Sequence, residues 1–181
     1  QPTVDVIQSG IHWHSRSLWD IGKLSYWSTV CSFTDAIKPD WIVGFSDTYF
    51  GILAEHLGRK FGLKSLIDAY DNYESYLPWC TPLHFLWRRA VSQATAVTAA
   101  GPQLAELLQQ ARSGKFVFIV PMAADIPTFM PLDRDTCRHE LNLPREKKIV
   151  GYCGSIYRNR GIQTLFDAHE ILKNTDRSID L

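Results

Sequence analysis

Short apolar runs alternate with amphipathic segments of helical period along most of this chain. The apolar runs, which are bounded by Pro, Gly or polar positions, predict strands at 40–45, 64–70, 95–100 and 116–120. Between them, apolar residues recur every three or four positions, which predicts helices at about 48–61, 83–93 and 102–111. Strands that are apolar along their whole length are typical of a parallel sheet covered on both faces. The pattern therefore predicts a doubly wound, Rossmann-like α/β domain.

The first 37 residues are less regular. Residues 4–7 have the composition of a strand, and residues 18–34 have the apolar spacing of a helix. The sequence opens on Gln1, with neither an initiator methionine nor a signal-like pattern. We therefore expect the true start of this domain to lie upstream.

The alternation of strand and helix patterns stops after Pro121, which predicts a domain boundary. Residues 122–147 contain three prolines and one short helical stretch, at about 134–141. The alternation then resumes with a strand at 148–153 and a helix at 161–173, and a further strand begins near 178. We expect an incomplete first domain at 1–121, a hinge at 122–147 and the start of a second Rossmann-like domain at 148–181. The second domain is expected to be truncated, because one βα unit cannot bury its own apolar face.

The composition excludes some classes of binding partner. Hydrophobic residues make up 45% of the 181 residues, charged residues make up 21%, and the formal net charge is zero. No basic face is evident, so nucleic acid is not an expected partner. No run approaches the ~20 apolar residues of a membrane-spanning helix. The four cysteines lie far apart, as is usual for reduced thiols in a cytoplasmic protein.

The segment from Gly154 to Gly161 is a candidate phosphate-binding loop. It follows a predicted strand, contains Ser155, Arg158 and Arg160, and opens a predicted helix. Ligands of open α/β sheets lie beyond the carboxyl ends of the strands. Backbone N–H groups at a helix start and arginine side chains both favour an anionic phosphate. The alternative is a solvated loop whose arginines face water.

A second candidate cluster follows the predicted strand at 64–70. Asp71, Asn72 and Glu74 supply carboxylates and an amide that can hydrogen-bond sugar hydroxyls or orient a polar acceptor. The alternative is that Asp71 and Asn72 are turn and cap residues. Ser46 and Asp47 follow the preceding strand in the same way, although Asp47 also suits the N-cap of the helix that begins at Thr48.

Two further patterns are weaker indications of a functional site. His12 and His14 have a spacing that zinc can use, but no third ligand is identifiable, so we expect a surface or core pair. No metal or other cofactor is expected. Arg88 and Arg89 lie beside Trp87 and can approach anionic lipid headgroups. Two charges contribute only about 1 kcal/mol each, which allows peripheral contact with the inner face of a membrane but not stable attachment.

The order of these segments resembles family 4 of the glycosyltransferases. The resemblance runs from about 38 to 173 and includes Val120-Pro121, then Phe129, and Gly154 through Arg160-Gly161. The chain has Met122-Ala123 where the family has Asn-Gly, Ser155 where it has Arg, and Tyr70 where a His precedes the Asp.

That resemblance implies a GT-B fold, which has two Rossmann-like domains, and transfer of a sugar from a nucleotide-sugar donor to a hydroxyl acceptor with retained anomeric configuration. It implies donor diphosphate binding by Gly154, Ser155, Arg158, Arg160 and Gly161, with Arg160 in the place of the family's Lys. Asp71 corresponds to the Asp of the family's His-Asp pair and is the candidate catalytic residue. We expect this piece to be inactive by itself.

Two rival functions remain open. A sugar-nucleotide epimerase on the same fold needs carboxylate and histidine acid–base groups, which Tyr70 argues against. A non-catalytic ligand-binding module is favoured by Ser155 and by Met122-Ala123. Measuring sugar-nucleotide hydrolysis and transfer by the complete protein separates the three functions.

Overall fold

The computed structural model describes residues 4–8, 10–15, 24–157, 160–176 and 178–180. The chain divides into two compact units, Gln1–Ala123 and Ala124–Leu181. The predicted role of 122–147 as a hinge stays a prediction.

A four-stranded parallel sheet forms the centre of the first unit. Its strands lie side by side in chain order, and the registers include Phe45 opposite Asp68 and Ala69 opposite Ala99. The predicted parallel sheet is therefore confirmed, although the last strand is shorter than expected. The strands are β3 (Trp41–Phe45), β4 (Lys64–Ala69), β5 (Ala96–Ala99) and β6 (Phe118–Ile119).

Three helices connect these strands: α2 (Thr48–Phe61), α3 (Thr81–Gln93) and α4 (Pro102–Gln109). Each helix connects one strand to the next strand in the sheet, and all three connections advance across the sheet in the same direction. Because such crossovers are right-handed, the three helices lie on one face of the sheet. On the opposite face, Trp41, Val43 and Phe45 remain 44%, 48% and 61% exposed. The helical cover that a doubly wound fold has on its second face is not seen among the described residues.

Two glycines allow α2 to pack closely, Gly44 at the sheet and Gly51 against α3. A Cβ at Gly44 would come within 2.2 Å of the Phe50 carbonyl oxygen, and a Cβ at Gly51 would come within 2.4 Å of the Trp87 ring. Asp47 caps the start of α2 by accepting hydrogen bonds from the N–H groups of Tyr49 at 2.8 Å and Phe50 at 3.3 Å.

A buried arginine ties α3 to the end of α4. Arg112 is only 2% exposed, and its guanidinium donates to the carbonyl oxygens of Val91 at 2.5 Å and Ala94 at 3.0 Å. These carbonyls lie at the carboxyl end of α3, where the helix itself provides no further N–H groups to bond them. Burial lowers the pKa of Arg112, but an arginine stays charged at neutral pH.

The amino-terminal residues form a hairpin and a helix. Strands β1 (Val4–Gln8) and β2 (Ile11–Ser15) pair antiparallel, and α1 spans Leu24–Ile37. Trp27 of α1 packs edge-on against Tyr49 and His56 of α2, at ring distances of 6.0 and 5.3 Å. Of the helix expected at 18–34, residues 18–23 lie outside the described residues, and the helix extends three residues further. No described helix is both long and apolar enough to cross a bilayer.

The second unit contains α5 (Arg134–Glu140), β7 (Lys148–Ile149), α6 (Ile162–Thr175) and β8 (Ile179–Asp180). The two strands pair in parallel. Of the strand expected at 148–153, only Lys148–Ile149 pairs with β8. Ion pairs reinforce this contact, with Lys147 2.9 Å from Asp180 and Lys148 2.7 Å from Asp176.

Replacing Arg112 with methionine is expected to lower the free energy of unfolding by about 2–4 kcal/mol, because the buried carbonyls of Val91 and Ala94 lose charged donors. Urea unfolding followed by tryptophan fluorescence measures this loss. The control is Arg89→Met on the exposed side of α3, where a change within about 0.5 kcal/mol is expected. Equal midpoints for Arg112→Met and the unmodified chain would contradict the proposed role.

Candidate functional site

Two adjoining cavities lie in the first unit near the carboxyl ends of β4 and β5. The strand-end hollow has a volume of about 460 Å³ and the helix slot, between α3 and α4, has about 290 Å³. The hollow is lined by Tyr70, Asp71, Asn72, Ala100, Gly101, Gln103, Leu104 and Leu107. The slot is lined by Asp71, Asn72, Tyr73, Glu74, Trp87, Arg88, Val91, Leu104, Leu107, Leu108, Gln110 and Ala111. The carboxyl edge of a parallel sheet is where open α/β folds bind ligands.

Asp71 and Asn72 are exposed at the carboxyl end of β4 and lie in the walls of both cavities. This is the position that the sequence predicted, while their roles stay predictions. One Asp71 carboxylate oxygen accepts from the backbone N–H of Asn72 at 2.7 Å, and the other accepts from the Tyr76 hydroxyl. A carboxylate has about four acceptor positions, so two remain for a ligand. The Asn72 side chain makes no hydrogen bond to another described residue.

An aromatic cluster supports the loop that holds these residues. Tyr73 is buried, and its ring lies 5.5 Å from Trp87, 5.6 Å from Tyr70 and 6.1 Å from Tyr76. Its hydroxyl accepts from the backbone N–H of Tyr70 at 3.4 Å. Burial raises the pKa of Tyr73 to about 12, so the phenol stays protonated at neutral pH. The loop is therefore held in place before any ligand binds.

Glu74 is engaged in an ion pair at the mouth of the helix slot. Arg88 donates from Nε at 2.8 Å and from Nη2 at 2.6 Å to its two carboxylate oxygens. These hydrogen bonds from Arg88 lower the pKa of Glu74 below its ordinary value of 4.5. A bidentate pair fixes both side chains. Glu74 thus anchors the loop to α3, and its predicted place in an acceptor cleft stays a prediction.

The amino terminus of α4 opens into the strand-end hollow. Gly101 is its N-cap and provides no side-chain hydrogen bond, so the first N–H groups of the helix are not capped by that residue. Gly101 and Gln103 line the hollow beside Asn72. The hollow therefore combines a carboxylate acceptor, an amide and backbone donors.

Ser46 and Asp47 line neither cavity. The Asp47 carboxylate is used in the N-cap of α2, the local role that the sequence left open. Ser46 is exposed and has a φ of 92°, a backbone conformation that is uncommon for a residue with a side chain. Their assignment to an acceptor cleft stays a prediction.

The loop of the second unit is exposed throughout its described part. The hydroxyl of Tyr152 donates to the Ser155 carbonyl at 2.9 Å and closes the turn around Gly154. Gly161 has a φ of 72° and is the N-cap of α6, with no side-chain cap, and the neighbouring Arg160 is exposed. Arg158 lies outside the described residues.

Among the described residues, no group of three His, Cys, Asp or Glu side chains could hold a metal ion. His14 stacks on Phe33 with 4.6 Å between ring centroids, and the four cysteines are free thiols. The two cavities at the end of β4 are the candidate ligand sites of the first unit.

Searches with this sequence match no known family model and no curated protein. The resemblance to glycosyltransferase family 4 therefore stays a prediction from the sequence.

Sequence reasoning missed several residues of these cavities. Arg88 was considered only for its charge, because no periodic pattern links it to Glu74, fourteen positions earlier. Gln103 and Leu107 were not expected in the site. The Gly101-Pro102 pair predicted the start of α4, and parallel pairing of the strands at 64–70 and 95–100 would have placed that start beside Asp71.

Replacing Glu74 with glutamine is expected to lower stability by about 0.5–1 kcal/mol at pH 7, the usual range for an ion pair with one exposed partner. Because the pKa of Glu74 is depressed on folding, its contribution is present above the ordinary value of 4.5 and is lost as the pH falls through the folded value.

Urea unfolding at pH 7 and at pH 3.5 tests this dependence. The difference between Glu74→Gln and the unmodified chain should shrink at the lower pH. The exposed Glu106→Gln on α4 serves as the control and should show little difference at either pH. A constant difference for Glu74→Gln across this range would contradict the prediction.

Proposed function

We propose that this chain belongs to a retaining glycosyltransferase of the GT-B type, which moves a sugar from a nucleotide-sugar donor to a hydroxyl acceptor. The observation that carries the proposal is the exposed Asp71–Asn72 pair at the carboxyl end of β4, in the wall of a preformed hollow. Support also comes from the division into two units, each of which contains parallel strands and helices.

In this proposal the first unit binds the acceptor. Asp71 accepts a hydrogen bond from the attacking hydroxyl and increases the electron density on its oxygen. Asn72 and the first N–H groups of α4 bind neighbouring hydroxyls. The two hydrogen bonds that Asp71 already accepts fix its orientation, and such preorganisation avoids reordering during the reaction.

The second unit binds the diphosphate of the donor in this proposal. The uncapped amino terminus of α6 carries roughly half a positive charge, and the Arg160 side chain adds a full one. A cation at this end of a helix is mildly unfavourable unless an anion is present, and the diphosphate supplies that anion. As the bond between the anomeric carbon and the diphosphate breaks, these groups stabilise the growing negative charge. A new bond forms from the anomeric carbon to the acceptor oxygen, whose proton passes to the Asp71 carboxylate.

Replacing Asp71 with asparagine is expected to reduce transfer by the full-length protein at least about 100-fold, in the range for a group that assists proton movement. Folding should be unchanged because the side chain is exposed. The measurement is release of nucleoside diphosphate with a panel of nucleotide sugars and hydroxyl acceptors.

The matched control is Asp40→Asn, an exposed aspartate just before β3 at the opposite edge of the sheet. It should transfer at the rate of the unmodified protein. If Asp71→Asn also does so, Asp71 is a turn residue and has no part in transfer.

Replacing Arg160 with alanine is expected to weaken nucleoside diphosphate binding about 10- to 150-fold, because charge-assisted hydrogen bonds contribute about 1.5–3 kcal/mol. Calorimetric titration of the full-length protein with the uridine, guanosine and adenosine diphosphates measures this effect. Lys173→Ala, at the far end of α6, is the control and should retain affinity. Equal affinity for Arg160→Ala and the unmodified protein would remove Arg160 from the donor site.

A further inference from the structure

An apolar patch lies at the amino end of α3, on the side of the helix that faces solvent. It consists of Leu77, Trp79, Phe85 and Leu86, whose side chains are 40%, 77%, 66% and 45% exposed. None of these four residues lines either cavity. The apolar patch is therefore separate from the candidate site, and an exposed group of large apolar side chains commonly marks a surface that binds a partner.

Local contacts hold the apolar patch together. The backbone N–H of Cys80 donates to the Leu77 carbonyl at 2.9 Å, which closes a turn that contains Trp79. The same carbonyl accepts from Nε2 of His84 at 2.9 Å, so the turn is attached to the beginning of α3. A helix rises about 1.5 Å per residue, which keeps Phe85 within about 6 Å of the start of α3 along its axis. Trp79 and Phe85 thus belong to one surface.

The surface beside the apolar patch is basic. Arg89 follows Phe85 by four positions and therefore lies on the same side of α3. Lys115 lies at the carboxyl end of this helix, where its Nζ donates to a backbone carbonyl at 3.3 Å. Residues 75–124 include only one carboxylate, Glu106 of α4, although the charges of the whole chain balance. Exposed apolar side chains are thus combined with a local excess of positive charge.

This combination fits the surface of an anionic bilayer. Aromatic side chains enter the boundary between lipid headgroups and acyl chains, while neighbouring basic side chains bind the phosphates. Arg89 makes no hydrogen bond or ion pair with another described residue, so its charge is available to a lipid. Arg88 neutralises Glu74, the carboxylate just before this stretch of the chain. The residues of the apolar patch form neither a groove nor a strand edge, the features by which protein surfaces bind peptide segments.

We propose that the solvent-facing side of α3 binds the surface of an anionic bilayer, with Trp79 and Phe85 inserted at the level of the headgroups and Arg89 bound to lipid phosphates. The charges of Arg88 and Arg89 alone give only weak attraction. The apolar patch adds the second contribution that stable peripheral binding requires. This binding goes beyond the proposed sugar transfer and does not rest on it.

Vesicle binding by the full chain tests the proposal. The chain is sedimented at low salt with vesicles of phosphatidylcholine alone and with vesicles that contain about 30% phosphatidylserine. Binding to the anionic vesicles should be at least about tenfold tighter. Trp79→Ala should weaken binding to the anionic vesicles at least about tenfold, and Phe85→Ala and Arg89→Ala should each weaken it about fivefold.

Two control variants change comparable side chains on other surfaces. Trp41→Ala removes an exposed tryptophan from the opposite face of the sheet, and Lys173→Ala removes an exposed charge from α6. Both should bind like the unmodified chain. The proposal is overturned if the chain binds neither kind of vesicle, if Trp79→Ala binds like the unmodified chain, or if Trp41→Ala causes the larger loss.

Insertion is measured by fluorescence quenching, with a phosphatidylcholine brominated on its acyl chains included in the anionic vesicles. The unmodified chain should lose part of its tryptophan fluorescence. Trp79→Phe should keep its affinity within about threefold, because an aromatic ring remains, but should lose most of the quenching. Quenching that is unchanged in Trp79→Phe would mean that one of the other five tryptophans is inserted, which would overturn the proposal.

Sedimentation velocity without vesicles tests a second copy of the chain as the alternative partner. The unmodified chain and Trp79→Ala should have the same mass. A dimer that Trp79→Ala converts to a monomer would assign the apolar patch to a contact between copies and would overturn the proposal.

Discussion

The buried guanidinium of Arg112 is the interaction on which the arrangement of the first unit depends. It lies just after α4 and donates to the last carbonyls of α3, so one side chain sets the separation of two helices. Such a buried cation is tolerated only because its donors are largely satisfied by backbone oxygens. The helix slot is the space that this separation leaves. Arg112 thus contributes both to the stability of the unit and to the position of the helices beside its candidate site.

A second constraint is the parallel sheet, which gathers loops from distant parts of the chain at one edge. Asp71 follows β4 and Gly101 follows β5, and pairing of Ala69 with Ala99 brings both into the strand-end hollow. Aromatic packing then fixes the first of these loops, while Glu74 attaches it to α3 through Arg88. Rigid support of this kind allows a few polar groups to orient a ligand without first being ordered by it.

The second unit presents a simpler arrangement. Gly161 adopts a left-handed conformation, starts α6 without a side-chain cap and leaves Arg160 exposed at the same end of the helix. The first N–H groups of α6 therefore have no side-chain acceptor at the N-cap, and Arg160 adds a positive charge beside them. In the proposed enzyme the two units have complementary chemistry, with hydroxyl-binding groups in the first and phosphate-binding groups in the second.

The sequence by itself determined the element types and most of their bounds. Local spacing of apolar residues predicted α2 at 48–61, and the apolar runs predicted the strands of the parallel sheet, because both are properties of neighbouring residues. It also located Asp71 and Asn72 at a strand end. Only the tertiary structure decided that Glu74 pairs with Arg88 and that a cavity lies between α3 and α4. These features depend on contacts between residues far apart in the chain, which no periodicity records.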